Sequence, residues 1–243
     1  MVRRVKSLIK ERVLKQLHIP YSRHGLPLPL LRFLSKGTPI TLIDVGAHRG
    51  DFTEMVSKHA DIGKAVLVEP ITELAQHLQE KFKRHGYSIF NCVLSDKAGL
   101  VEFEINEAAA TSSMLKIYRD IPELANVRLG NPKAIQSQAR TLDEVACEAG
   151  VETVDLLKID VQGAEHLVLR GGIETLKMTS LIWIEVSFKP LYEQASTFFE
   201  IYEMLGSSGF ILNELEPVFR APDGELLQSD ALFVKKSAWT DVN

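Results

Sequence analysis

Thr41-Leu-Ile-Asp-Val-Gly-Ala-His-Arg-Gly50 is the stretch that decides the fold. An apolar run ends in an acid, a glycine follows two residues later and a second glycine four beyond that. This is the spelling of a strand that turns into a nucleotide-binding loop. A loop built to grip phosphate offers the anion neutral backbone and helix N–H groups. Asp44 at the strand tip argues instead for a cofactor carrying positive charge, an ammonium or a sulfonium. Gly46 and Gly50 permit the tight turn and a close backbone approach, with Ala47 and His48 between them.

Glu69 ends the next apolar run, about twenty residues past the loop, where the acid of a nucleotide-binding βαβ unit accepts hydrogen bonds from both ribose hydroxyls. From residue 40 onward strands and helices alternate. Strands are expected at 40–45, 65–69, 87–94, 99–105, 154–160, 181–186, 209–212 and 231–234. Helices are expected at 51–60, from Thr72 as cap toward Gly86, from Thr141, at 163–177 and at 196–205. That alternation predicts a mostly parallel α/β sheet with helices on both faces. Residues 106–138 show no strong period, and a stretch of that length reads as a substrate loop or lid.

Upstream, residues 1–18 form a basic amphipathic pattern: Val5, Leu8, Ile9, Val13 and Leu17 keep close to a helical period among Arg3, Arg4, Lys6, Lys10, Arg12 and Lys15. Such a helix either packs its stripe on the domain or lies on an anionic membrane surface. Residues 18–39, rich in proline and glycine, read as a connector. The organisation expected is therefore 1–39 as an N-terminal extension and 40–243 as one domain. With 243 residues, net charge −4 and pI near 6.0, the chain can bury one full core and carries no global basic field, so nucleic acid is not expected as a partner. Cys92 and Cys147 are far apart and read as reduced core residues rather than a disulfide or metal motif. The basic start lacks the apolar segment and cleavage site of a signal peptide, which makes a cytoplasmic location, in places peripheral to the inner membrane surface, the expectation.

Other strand tips carry further polar groups. Ser95 and Asp96 end the third strand, where either can contact an adenine amino group or simply form a turn. In Asp155-Leu-Leu-Lys-Ile-Asp-Val-Gln-Gly-Ala-Glu165, alternation puts Lys158 and Asp160 on one side. Asp160 at the tip is expected to point into the ligand crevice, Lys158 to neutralise a buried acid and Glu165 to stabilise a helix N-terminus.

Asp44-Val-Gly-Ala-His-Arg-Gly50, Val68-Glu-Pro70, Leu94-Ser-Asp96, Thr141-Leu-Asp143, Leu157-Lys-Ile-Asp-Val-Gln-Gly-Ala-Glu165 and Trp183-Ile-Glu185, in this order, resemble the FkbM family of S-adenosylmethionine-dependent methyltransferases. The resemblance runs from about residue 40 to 188, and its most specific part is Lys158 to Glu165. It implies a class I methyltransferase fold: a Rossmann-like seven-stranded sheet whose last strand is antiparallel. It also implies S-adenosyl-L-methionine as cofactor, with Asp44 and Gly46 at its methionine end, Glu69 at the ribose and Ser95 with Asp96 at the adenine. His48 stands where the family commonly has Asn.

The activities the resemblance implies are O-methylations of hydroxyls on sugars, glycolipids, polysaccharides and related natural products. A sugar hydroxyl needs a base as its proton leaves, or a metal that lowers its pKa. Base candidates are Asp160, Glu185, His166 and His48. Asp160 and Glu185 stand on neighbouring strands, where they can hold Mg²⁺ or act as a base beside a second acid. Thr111, Ser112 and Ser113 are candidate acceptor contacts. A nicotinamide-dependent oxidoreductase is a poorer fit, because Gly46-Ala-His-Arg-Gly50 lacks a glycine two residues after the first and no Tyr is followed four residues later by Lys. A non-catalytic cofactor-binding protein of the same fold is the other alternative.

Overall fold

Ile40–Val45 (β1) is apolar at every position but Thr41 and Asp44, as suits an interior strand with both of its faces covered. The computed structural model describes residues 28–240 apart from 35, 36, 108, 120, 125, 126 and 128. The basic amphipathic pattern at 1–18 lies outside the described residues. Ahead of β1, the expected connector contains a helix, Leu28–Phe33 (α1). Leu30 and Leu34 are buried in the same cluster as Leu42 and Trp183, so tertiary burial overrides the local proline and glycine content.

The chain continues through Asp51–Ser57 (α2), Ile62–Val68 (β2), Thr72–Lys81 (α3), Ser88–Phe90 (β3), Val93–Leu94 (β4), Gly99–Ile105 (β5), Lys133–Arg140 (β6) and Leu142–Glu148 (α4). Then come Val154–Ile159 (β7), Glu165–Arg170 (α5), Ile173–Lys177 (α6), Thr179–Ser187 (β8), Phe198–Ser207 (α7), Phe210–Arg220 (β9), Leu226–Lys235 (β10) and Lys236–Thr240 (α8). Seven strands form one sheet in the order β3-β2-β1-β7-β8-β10-β9. Pairing is parallel from β3 to β8, while β10 runs antiparallel to both β8 and β9. The strand order reverses between β1 and β7, the point at which an open α/β sheet leaves a ligand crevice at its carboxyl edge.

Helices cover both faces. Ile43, Leu157, Ile182 and Phe233 meet α4, α5 and α7 on one side, and Leu42, Leu156, Leu181 and Leu232 meet α1, α2 and α3 on the other.

Five local expectations differ from the structure. The strand expected at 87–94 divides: β3 stays on β2, while β4 leaves to pair with β6 in a second sheet ordered β4-β6-β5. Residues 133–138, expected as loop, belong to β6, whose residues are mostly exposed or half-buried, so no apolar alternation marks them. The helix expected at 163–177 breaks into α5 and α6 at Gly171 and Gly172, and residue 171 has room only for glycine, since a Cβ there would sit 2.2 Å from the Ser95 carbonyl oxygen. Ile71 rather than Thr72 occupies the cap position of α3, and the Thr72 hydroxyl meets Asn91 Oδ1 at 3.0 Å. Thr141 does cap α4, in a capping box with Glu144. Of the two free cysteines, Cys92 is buried but Cys147 is exposed, against the expectation of two core residues.

Candidate active site

A cleft of about 320 Å³ opens at the reversal point, within the size range of small-ligand sites. Its floor is the glycine loop. Gly46 has φ +72° and a Cβ there would lie 1.9 Å from the Asp160 carbonyl oxygen, so only glycine lets β1 and β7 close on each other at this level. Gly50, at φ +75°, sits at the cap position of α2.

Asp44 does not line the cleft. Fully buried beneath the loop, it accepts the Thr53 hydroxyl at 2.7 Å on Oδ2, while Oδ1 has no hydrogen bond and only the Lys158 ammonium at 3.4 Å. The acid that the sequence places against a cationic cofactor therefore acts from below, through its charge and through Lys158.

Lys158 ties the floor together. Its ammonium donates to the carbonyls of Gly46 (2.7 Å) and Val45 (3.2 Å) and pairs with Asp160 Oδ2 at 3.6 Å. Burial opposes its charge, but Asp160 and Asp44 more than offset that and raise its pKa.

On the β2 side, Glu69 Oε2 accepts the His48 N–H at 2.8 Å and Oε1 accepts the Ile71 N–H at 2.9 Å. Each carboxylate oxygen keeps acceptor capacity for a ribose hydroxyl. Burial raises the Glu69 pKa against the two N–H groups that lower it. His48 reaches this position at φ 50°, and its imidazole lines the cleft. Burial and then Arg49 lower its pKa, leaving the ring neutral at neutral pH. Ala47 is in the lining as well.

The expected adenine contacts do not reach the cleft. Because β4 turns away onto β6, Ser95 donates its N–H to the Arg140 carbonyl and its hydroxyl to Asp96 Oδ1 at 3.2 Å, and Asp96 is exposed. Cys92, Val93 and Leu94 line the wall instead, with Phe103, Ala109 and Met114 from the second sheet and the segment after it. That apolar wall suits a flat base, and together with Glu69 it makes the cleft a fit for a nucleoside cofactor.

The opposite end is polar. Asp160 lines it with its side chain 40% exposed, so the carboxylate reaches the cleft as the sequence predicts. Gln162, at φ 57°, donates from Nε2 to Asp160 Oδ1 (2.7 Å) and to Glu185 Oε2 (3.1 Å). The side-chain oxygen Oε1 of Gln162 accepts the Tyr192 hydroxyl at 3.0 Å. Gln228 Nε2 also donates to Glu185 Oε2, at 2.8 Å.

Glu185 thus lies behind Gln162 and outside the lining. Burial, then Asp160, Glu165 and Asp230, push its pKa well up. The carboxylate pair expected as a base or Mg²⁺ site is bridged by an amide. Among the described residues no group of three or more His, Cys, Asp and Glu is placed to hold a metal ion.

His166 is also away from the cleft, half-buried with Nδ1 unpartnered, and burial and then Arg170 lower its pKa. Glu165 accepts the N–H groups of Val161 and Gly163, both at 3.1 Å, and so shapes the turn that carries Gln162.

The segment after β5 covers the cleft. Ser112 lines it, the Ser113 hydroxyl donates to the Gln162 carbonyl at 2.8 Å, and the Thr111 carbonyl accepts from Asn106 Nδ2 at 2.8 Å. Leu124 and Leu129 pack with Leu191, Tyr192 and Leu227, which anchors the cover on the far strands. Asp230, Gln228 and Tyr192 stand in no motif that marks them in the sequence. Asp230 sits at the edge of an apolar run, and only its register opposite Glu185 reveals it.

Strand order, antiparallel β10 and the glycine loop with Glu69 beside it are those of a class I methyltransferase that uses S-adenosylmethionine. The model of the methyltransferase FkbM domain matches residues 44–212, and the chain belongs to that family. It is 28% identical over 186 residues to the 2-O-methyltransferase NoeI of Sinorhizobium fredii, covering 73% of this chain and 75% of the relative. It is 26% identical over 153 residues to the methyltransferase sdnD of Sordaria araneosa, covering 54% and 59% of the two chains. The crystal structure of methyltransferase FkbM from Methylobacillus flagellatus superposes with a TM-score of 0.50 at 12% identity, over 81% of this chain and 43% of that one, a likeness of fold alone. Family membership removes the oxidoreductase alternative. No helix among the described residues is long and apolar enough to cross a membrane.

Proposed function

We propose that the chain methylates a hydroxyl oxygen on a sugar, glycolipid, polysaccharide or related natural product. The observation that carries this reading is Asp160: a carboxylate at the carboxyl tip of β7, open to the cleft and fixed from two sides by Lys158 and Gln162. A group so fixed can accept a hydrogen bond from an acceptor hydroxyl and aim its lone pair, and orientation supplies much of the acceleration in such a displacement. Bound S-adenosylmethionine supplies a methyl carbon already activated by the sulfonium. Glu69 would hold the ribose, the Cys92–Leu94 wall the base, and the segment around Ser112 and Met114 would exclude water from both ligands. The 2-O-methyltransferase NoeI among the relatives supports oxygen as the atom methylated.

With Gln162 bridging Asp160 and Glu185, the reading needs no metal between these two acids. Calorimetry with S-adenosylmethionine, followed by methyl transfer to a panel of glycans and lipid-linked sugars with and without chelator, tests it. Binding with transfer that persists in chelator is expected. Absence of cofactor binding sinks the enzyme reading in favour of a non-catalytic protein of the same fold, and activity lost to chelator and restored by Mg²⁺ makes the site metal-dependent.

A further inference from the structure

We propose that Asp230, on the antiparallel strand β10, is the carboxylate that takes the proton from the acceptor hydroxyl, while Asp160 orients that hydroxyl. The inference rests on the hydroxyl-methylation reading above and adds a second acid to it.

The sheet itself brings the acids together. Asp230 lies opposite Glu185 on β8 and opposite Glu216 on β9. Ile159 on β7 lies opposite Ile184, so Asp160 follows at the level of Glu185, joined to it through Gln162. Residues paired across neighbouring strands share a face, and the row therefore runs Asp160, Glu185, Asp230, Glu216 along the carboxyl edge. One step below it, Lys158 lies opposite both Asp44 and Trp183.

The members of the row are not equivalent. Glu185 is screened from the cleft by Gln162, and Glu216 is exposed outside it. Asp160 and Asp230 both line the cleft, as does Trp183 on β8, the strand between β7 and β10. Asp160 already holds a cation and an amide, and placing a proton on it would weaken an ion pair with a buried ammonium. The nearby Trp183 indole N–H favours the charged form of Asp230 only weakly, and a proton arriving there relieves repulsion from Asp160 and Glu216.

Every charged neighbour enters this balance. Asp160 and Lys158 face Asp230 from β7, Glu185 from β8 and Glu216 from β9, with His48, Arg49 and Asp51 across the cleft. Burial first, then Asp160, raises the Asp230 pKa to about 7, against Lys158 and the indole N–H. A base poised near the working pH is the efficient one.

In the step itself, the acceptor oxygen bonds to the methyl carbon as the carbon–sulfur pair departs with sulfur. The O–H pair stays on oxygen, and the proton passes to an Asp230 carboxylate oxygen.

Two variants and one optical probe test this. Asp230→Asn is expected to lower kcat by about 100-fold or more, the scale of a general base, with cofactor affinity unchanged and without the rise in rate through pH 7. Asp160→Asn is expected to raise the acceptor KM and to keep that rise. Trp183 gives an independent readout, since the only other tryptophan, Trp239, lies in α8. In a Trp239→Phe background, Trp183 emission is expected to titrate near pH 7, and Asp230→Asn to abolish the transition. Asp230→Asn protein that keeps near-normal kcat, or keeps the pH-dependent rise, overturns this inference alone, as does Asp160→Asn removing that rise. Wild-type protein that binds cofactor but methylates no hydroxyl overturns the parent reading together with it.

Discussion

The two ends of the cleft are built by different means. The cofactor end, from β1 to β2, draws on residues 44–71, a single βαβ unit in which Glu69 reaches the N–H groups of His48 and Ile71. The end proposed for the acceptor gathers Lys158, Gln162, Trp183, Asp230 and the segment around Ser112 from across the chain and holds them by side-chain amides and an ion pair. A local unit can be retained intact while a dispersed one changes strand by strand.

Lys158 belongs to both ends, so its loss should break the comparison altogether. Lys158→Met leaves Asp44 buried without a cation, and a broken buried pair costs about 3–5 kcal/mol. Denaturant unfolding should show that loss together with failed cofactor binding. A variant of normal stability would mean that Asp44 finds its partner elsewhere.

Glu69→Gln should weaken only the cofactor end. Removing the charge from hydrogen bonds of this kind costs about 1.5–3 kcal/mol, read by calorimetry as a rise in the S-adenosylmethionine Kd, with acceptor KM little changed. Gln162→Leu is the converse. It frees Asp160 from Glu185 and Tyr192 and should lower kcat by roughly tenfold, about 1.4 kcal/mol, at constant cofactor Kd. A change in cofactor Kd for this variant would merge the two ends.

The acids of the acceptor end should also mark the pH dependence of stability. Glu165 and Asp230 hold protons up to about pH 7 in the folded chain but titrate in the ordinary carboxylate range when unfolded. Their contribution is thus full below that range and is lost as pH rises toward 7. Asp230→Asn should accordingly gain on the order of 1 kcal/mol over wild type above pH 7, with the gain gone near pH 4, as measured by denaturation at both.

The smallest effect is expected at Lys189, whose exposed ion pairs with Glu123 and Glu225 link the covering segment to the β9–β10 hairpin. Lys189→Ala should leave the unfolding midpoint within measurement error, because solvent screens such pairs. A marked loss would make the cover part of the stabilising core.

By itself the sequence determined the alternating α/β order, the glycine loop, and the approach of Glu69 and Asp160 to the cleft. These follow from apolar periodicity and turn chemistry acting within a few tens of residues. Only the tertiary structure decided that Asp44 sits beneath the loop rather than in it, that β4 carries Ser95 and Asp96 away, and that His166 faces elsewhere. It alone set Gln162 between Asp160 and Glu185 and placed Asp230 beside Trp183. Those outcomes depend on which strands pair and in what register, and register between residues far apart in the chain is set by the packing of the whole sheet.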